Sequence, residues 1–185
     1  VKAVEDRDTE LATRVVEHDT EIDRMEVDLE EECLKLLALY QPVATDLRFI
    51  ITVLKVNNDL ERIGDLAANI AEYMMMVNGD REIPFSFDFA SMAVKTREML
   101  TASLDALVNR NSEIAHRVRM ADDEVDEIHR QMYGKVEEKM RTHPELTAVL
   151  IKHIGISRCL ERVGDLATNI AEDVIYLVTG EIVRH

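Results

Sequence analysis

Cysteine is scarce in this sequence: Cys33 and Cys159 stand alone, with no CxxC spacing. That excludes a zinc knuckle and a disulfide framework and fits a reducing, cytoplasmic setting. Long apolar runs are lacking too. Stretches such as Phe49 to Leu54 and Val174 to Val178 fall far short of the roughly 20 residues needed to cross a bilayer, and no signal-peptide pattern opens the chain, so no direct membrane insertion is expected. Basic residues are outnumbered, 22 against 37 acidic ones, giving a formal net charge of −15 over 185 residues. This imbalance argues against nucleic acid or an anionic membrane surface as the main partner and favours cations or basic protein surfaces. Strand-like alternation is missing, because apolar residues recur at three and four rather than two. There is no HxxxH or HExxH pattern, no phosphate-cradling glycine loop, no nucleotide fingerprint and no nucleophile paired with a base. The chain is therefore not expected to be an enzyme.

What is present is a repeat. Leu60 to Glu72 reads LERIGDLAANIAE and Leu160 to Glu172 reads LERVGDLATNIAE, identical at eleven of thirteen positions. The match extends backwards more weakly. Asp19 answers Asp122, Ile22-Asp23 answers Val125-Asp126, Glu10-Leu11-Ala12 answers Glu113-Ile114-Ala115, and Pro42 answers Pro144. The chain is a tandem duplication, and with 46% hydrophobic residues it has ample material for a core.

Helix punctuation divides each copy. Asp8 to Gln41 contains neither glycine nor proline and is closed by Pro42, and a second helix is expected from about Val43 to Val77, before Asn78-Gly79. In the second copy Asp88 to Val108 forms a helix and Ser112 caps a long one to about Thr142. Pro144 then opens another that reaches Thr179-Gly180. The expectation is an all-α fold of two tandem three-helix bundles: residues 1–80, a linker at 81–87, and residues 88–185. At the repeat offset of 103, Val1 to Asp6 match only the end of the second unit's first helix, so the first unit's opening helix is expected to be incomplete in this sequence.

The chemistry is sought in the repeated segment. Leu60, Ile63, Ala67, Ile70 and Met74 have a heptad-like spacing and are expected to form the core stripe. Glu61, Asp65, Asn69 and Glu72 then share an outward stripe, repeated as Glu161, Asp165, Asn169 and Glu172. Two carboxylates one turn apart repel by a few tenths of a kcal/mol, and a divalent or trivalent cation would relieve that repulsion. Asp19, Asp23, Glu26 and Glu30 make a similar stripe on the preceding helix, and Asp122 and Asp126 begin its counterpart, so two acidic helices could converge on one cluster per unit. The competing reading is a solvated acidic face. Arg62 and Arg162 point about 100° away from the stripe and are better placed to bond a neighbouring helix than to neutralise Asp65 or Asp165. Gly64 and Gly164 sit inside helices at about 1 kcal/mol each relative to alanine, for which close helix packing is the expected reason. His129, answering Glu26, is the histidine on an acidic stripe and a further possible ligand.

The paired LERIGD and LERVGD segments, each followed by AxNIAE, resemble the signature of the PhoU family of phosphate-signalling proteins. Pro42 to Arg48 is similar to the family's PxAxDLR, and Ala171 to Gly180 to its ending. The resemblance implies two tandem three-helix bundles, multinuclear metal clusters on the ExxxD stripes, and a homodimer. Iron is the first expectation for the metal, with zinc, manganese, magnesium or calcium as alternatives. It also implies a cytoplasmic negative regulator of phosphate uptake and phosphate-starvation signalling, linking the ATPase of a phosphate ABC importer to a sensor histidine kinase. Carried over by position, the metal residues are Glu61, Asp65, Glu161 and Asp165. Asp19, Asp23, Asp122 and Asp126 complete them, and Asn69, Asn169, Glu26 and His129 are possible further ligands. Leu66 and Leu166 stand where many members have histidine, and the second copy lacks a counterpart of Asp46-Leu47-Arg48. Two other readings remain: a sensor domain that binds phosphate through metal, and a carboxylate-bridged di-iron oxidase. The latter would need paired ExxH motifs, whereas Glu113 and His116 form a single one.

Overall fold

A computed structural model of the chain describes residues 2–3, 8–78, 84–85 and 87–183. Five long helices dominate it: α1 (Thr9–Tyr40), α2 (Ala44–Asn78), α3 (Phe89–Asn109), α4 (Ser112–Thr142) and α5 (Thr147–Thr179), with a 3-10 turn at Pro144–Leu146. No strand occurs among the described residues. Most of the expected opening stretch at 1–6 and most of the linker at 81–87 lie outside them.

The helix limits follow side-chain chemistry at their ends. Asp8 Oδ1 accepts from the Leu11 amide at 2.9 Å, and Asp88 Oδ1 accepts from the Ser91 amide at 3.0 Å. At α4 the cap is Asn111 rather than Ser112. Its Oδ1 accepts from both the Glu113 and Ile114 amides, satisfying two otherwise orphaned donors where a serine one residue later would sit inside the first turn. Pro144 opens the 3-10 turn, not the α-helix itself, and α5 ends at Gly180 with φ 77°.

Helices α3, α4 and α5 pack mutually into a three-helix bundle. Helix α1 packs on α2, and α2 packs on α5, so the repeated helices form the central seam. Burial follows this arrangement. Helix α5 is enclosed on several sides, and Leu150, Ile156, Ala167, Ile170 and Val174 are almost fully buried. On α1 only Ala12 and Cys33 are buried. The contrast between copies is direct: Val125 and Met132 are 0% and 4% exposed, whereas their counterparts Ile22 and Leu29 are 37% and 38% exposed. Among the described residues, no helix covers α1 as α3 covers α4.

The expected core stripe of α2 needs correction at Ala67, which is exposed, while Leu66 and Ala68 are buried. Because α2 is gripped by α1 on one side and α5 on another, its buried surface is wider than one heptad seam. At one end of the α2–α5 seam Lys55 Nζ meets Asp173 Oδ1 at 2.6 Å. The Arg48 guanidinium lies over the C-terminus of α5, with Nη1 3.0 Å from where a side chain at Gly180 would begin. A cation suits the negative end of that helix, and this contact gives the Asp46-Leu47-Arg48 segment a structural use.

Candidate metal centre in the helix seams

The two acidic stripes face each other across the seam inside each repeat, forming matching rungs. In the first repeat Asp19 lies opposite Asp65, Asp23 opposite Glu61, and Glu26 beside Asn57, whose Nδ2 donates to the Glu26 carbonyl at 2.8 Å. In the second Asp122 lies with Asp165, Asp126 with Glu161, and His129 with Ser157. The stripes expected on an outward face and expected to converge with the preceding helix lie along the edge of the seam, toward the partner helix. Glu161, Asp165 and Asn169 are half-buried, while Asp65, Asn69 and Asp23 are exposed. One level further along, Glu172 pairs with Arg119 Nε at 3.3 Å.

Glycine makes the approach possible. A Cβ at Gly164 would stand 3.2 Å from Asp122 Oδ1, and one at Gly64 would stand 3.2 Å from Asp19 Oδ1 and 3.0 Å from Ile22 Cδ1. Such distances are tighter than ordinary carbon contacts, so the missing side chain is what lets each aspartate lie against the opposing backbone. The expectation of close packing holds, and the packed atom is a candidate ligand.

In the second repeat Asp122, Asp126 and Asp165 place one carboxylate oxygen each within 4.8 Å of the others, and among the described residues this is the one such triple. Three hard oxygen donors on a preformed cradle fit a divalent or trivalent cation. The electrostatics point the same way. Burial, then Asp165 and Asp126, push the Glu161 carboxyl above its ordinary pKa against the opposing pull of Arg158 and Arg162. Burial, then Asp65, Asp23, Glu26 and Asp19, raise Glu61. Asp19 is raised by burial, then by Asp65, Asp23 and Glu72. These carboxylates are crowded with like charge, which a cation would relieve.

Arg62 does not reach a neighbouring helix. It pairs with Asp59 one turn back on α2 at 3.7 Å, because Asp59 is buried at the seam and its charge needs a near partner. Sequence reasoning passed over Asp59, Ser157 and Thr168. The available signal was a break in the repeat, since these positions are Cys159, Asn57 and Ala68 in the other copy. Burial holds the His129 imidazole below its ordinary pKa, opposed by Asp126 and aided by Arg158, which favours the neutral ring. A cleft of about 620 Å³ between α2 and α5 is lined by Lys55, Asp59, Asn169, Glu172, Asp173 and Tyr176 among others.

These features define a class of all-helical, internally duplicated protein with a carboxylate ladder in each repeat. The sequence matches the PhoU domain family over residues 1–74 and 89–174, and the chain belongs to that family. The phosphate-specific transport system accessory protein PhoU homolog of Clostridium acetobutylicum is 35% identical over 98% of this chain and 83% of its own length. The accessory protein PhoU of Escherichia coli is 33% identical over 100% of this chain and 77% of its own. The crystal structure of PhoU from Pseudomonas aeruginosa superposes with a TM-score of 0.93 at 36% identity, covering 97% of this chain and 86% of that one. The phosphate transport system regulatory protein PhoU from Streptococcus pneumoniae gives 0.91 at 28% identity over 99% and 86%.

Proposed function

We propose that this chain is a cytoplasmic accessory regulator of a phosphate-specific transport system. In this reading it binds metal clusters on its acidic ladders and acts, as a homodimer, as an adaptor between the ATPase of a phosphate importer and a sensor histidine kinase. Family membership and the accessory role that the relatives are named for support the transport setting. The convergence of Asp122, Asp126 and Asp165 carries the metal part. Asp122, Asp126, Glu161 and Asp165 would hold the cation in the second repeat, and Asp19, Asp23, Glu61 and Asp65 in the first. Positive charge is what a bound cation supplies here. The protein's own residues do the rest: the rungs fix the spacing of α1 to α2 and α4 to α5, and the net charge of −15 leaves acidic surface for a basic partner.

The test is metal content by mass spectrometry on protein purified without a metal-affinity tag, beside the variant E61Q/D65N/E161Q/D165N. Binding to the importer ATPase and to the kinase is then measured with and without chelator. Metal retained by the parent and absent from the variant, with partner binding that follows it, is the expected result. Partner binding indifferent to both chelator and variant would overturn the adaptor mechanism, and light scattering of the same samples checks the dimer.

A further inference from the structure

The cleft of about 620 Å³ between α2 and α5 lies in the joint between the repeats, not between the paired helices of either one. Its volume is that of a small-molecule site. Asp59 lines it and is 8% exposed. The nearest cation, Arg62, is 3.7 Å away on the same helix with its side chain 49% exposed, and the Asp59 carboxylate has no hydrogen bond among the described residues. A buried carboxylate without a hydrogen bond carries a desolvation cost that the fold leaves largely uncompensated. Its neighbours are better served, since Asp173 has Lys55 at 2.6 Å and Glu172 has Arg119 at 3.3 Å. Asn169 and Tyr176 also line the cleft without a side-chain hydrogen bond among the described residues, and Ile51, Ile182 and Val183 add apolar surface.

The duplication supplies an internal control. At the repeat offset of 100, Lys55, Asp59 and Asp173 answer Gly155, Cys159 and Tyr73. There the Tyr73 ring lies against Gly155, and a buried neutral thiol stands in place of the carboxylate. One end of the joint is filled and the other is open with an acid in its wall. A locally unfavourable residue kept in one copy and absent from the other is expected where a site is.

We propose that this cleft takes a primary alkylammonium group, the nitrogen on Asp59 and the carbon chain along Ile51, Ile182 and Tyr176. An ammonium brings three donors, which match the Asp59 carboxylate, the Asn169 carboxamide oxygen and the Tyr176 phenol oxygen, and a cation is also attracted to the face of a tyrosine ring. The apolar surface suits a ligand with methylenes rather than a bare ion, and three carboxylates in the lining disfavour an anion. The inference stands apart from the metal reading, because none of the rung residues facing α1 or α4 is needed for it.

The full chain, stripped of metal, is titrated with cadaverine and with pentanediol, which has the same carbon chain without the charge, and followed by calorimetry and methyl NMR. Saturable cadaverine binding that shifts the methyls of Ile51, Ile182 and Val183 is expected, with the diol at least about tenfold weaker. D59N should weaken cadaverine about tenfold, whereas D28N, which removes a carboxylate from an exposed position of α1, should change it less than about twofold. Y176L should cost several-fold and Y176F little. A capped lysine presents the same ammonium as a protein side chain. Tighter binding of that probe than of cadaverine assigns the cleft to a lysine of a docking protein, and weaker binding assigns it to a free amine, with the alkylammonium site upheld in both cases. Equal losses in D59N and D28N would mean diffuse attraction by the net charge of −15 and would overturn the proposal, as would an absence of saturable binding or of shifts at the three methyl-bearing residues.

Discussion

The ring of Tyr73 lies against the backbone of α5 at Gly155, so closely that a Cβ there would stand 2.7 Å from Cζ and 2.9 Å from both neighbouring ring carbons. At the repeat offset of 100, these two residues answer Asp173 and Lys55, the ion pair at the other end of the same seam. One end of the pseudo-symmetric joint is closed by a ring on a glycine, and the other by opposite charges beside a cleft.

G155A should therefore lower stability by about 1–3 kcal/mol through overpacking, despite the better helix propensity of alanine. Y73L should absorb much of that loss, so the double variant falls short of the sum of the singles. G134A is the control. Gly134 lies inside α4 with nothing within 4 Å of a would-be Cβ, and the change should stabilise by about 0.5–1 kcal/mol in urea titration.

G164A is expected to act on metal affinity before it acts on the fold. The added methyl displaces Asp122 Oδ1, 3.2 Å away, while helix propensity improves by up to about 1 kcal/mol. Calorimetric metal titration should show the second repeat weakened about tenfold, and the melting temperature in chelator should stay within a few degrees of the parent. Unchanged affinity would mean that the cradle has slack.

Asp59 gives a pH signature. Burial pushes its pKa from 3.8 up to about 6, with Arg62 and Lys55 pulling it back and Asp173 adding to it. The folded state then holds its proton more tightly than the unfolded state, so this group's contribution falls as pH rises from about 4 through about 6. D59N should stabilise the protein above pH 6 by at most about 3 kcal/mol and have little effect near pH 4. Chemical denaturation across that range reads the difference, and a benefit that did not grow with pH would contradict the account.

The fold was legible because punctuation and repetition agree. Asp8, Pro42, Asp88, Pro144 and Gly180 mark helix ends in the sequence and at or beside the ends found in the structure. The repeated ExxxD located the rungs. What periodicity could not supply was the neighbour each face meets. One helix's spacing does not tell that α2 is gripped from two sides, so Ala67 was misplaced, whereas the convergence of the two acidic helices in each repeat could be read from their matching stripes. Arg62 was assigned across the seam for the same reason, since the burial of Asp59 that holds it back is a tertiary fact.

Hydrogen exchange should grade the helices. Among the described helices α1 packs on α2 alone and leaves Ile22 and Leu29 more than a third exposed, whereas α5 is enclosed along most of its length. Amides of α1 are expected to exchange by local opening far below the global unfolding free energy, and those of α5 only near it. Equal protection in the two helices would refute this ordering. Cation addition should slow α1 more than any other helix, because ligands at Asp19 and Asp23 would tether it.

Helix α2 carries one side of the first ladder on one face and half of the inter-repeat seam on another, with no glycine or proline after Gly64 to divide it. It is in effect an axle shared by two wheels. A roll that brings Glu61 and Asp65 nearer to α1 must also drag Tyr73 across Gly155 and carry Lys55 past Asp173, so a setting made in one repeat is felt as torque in the other.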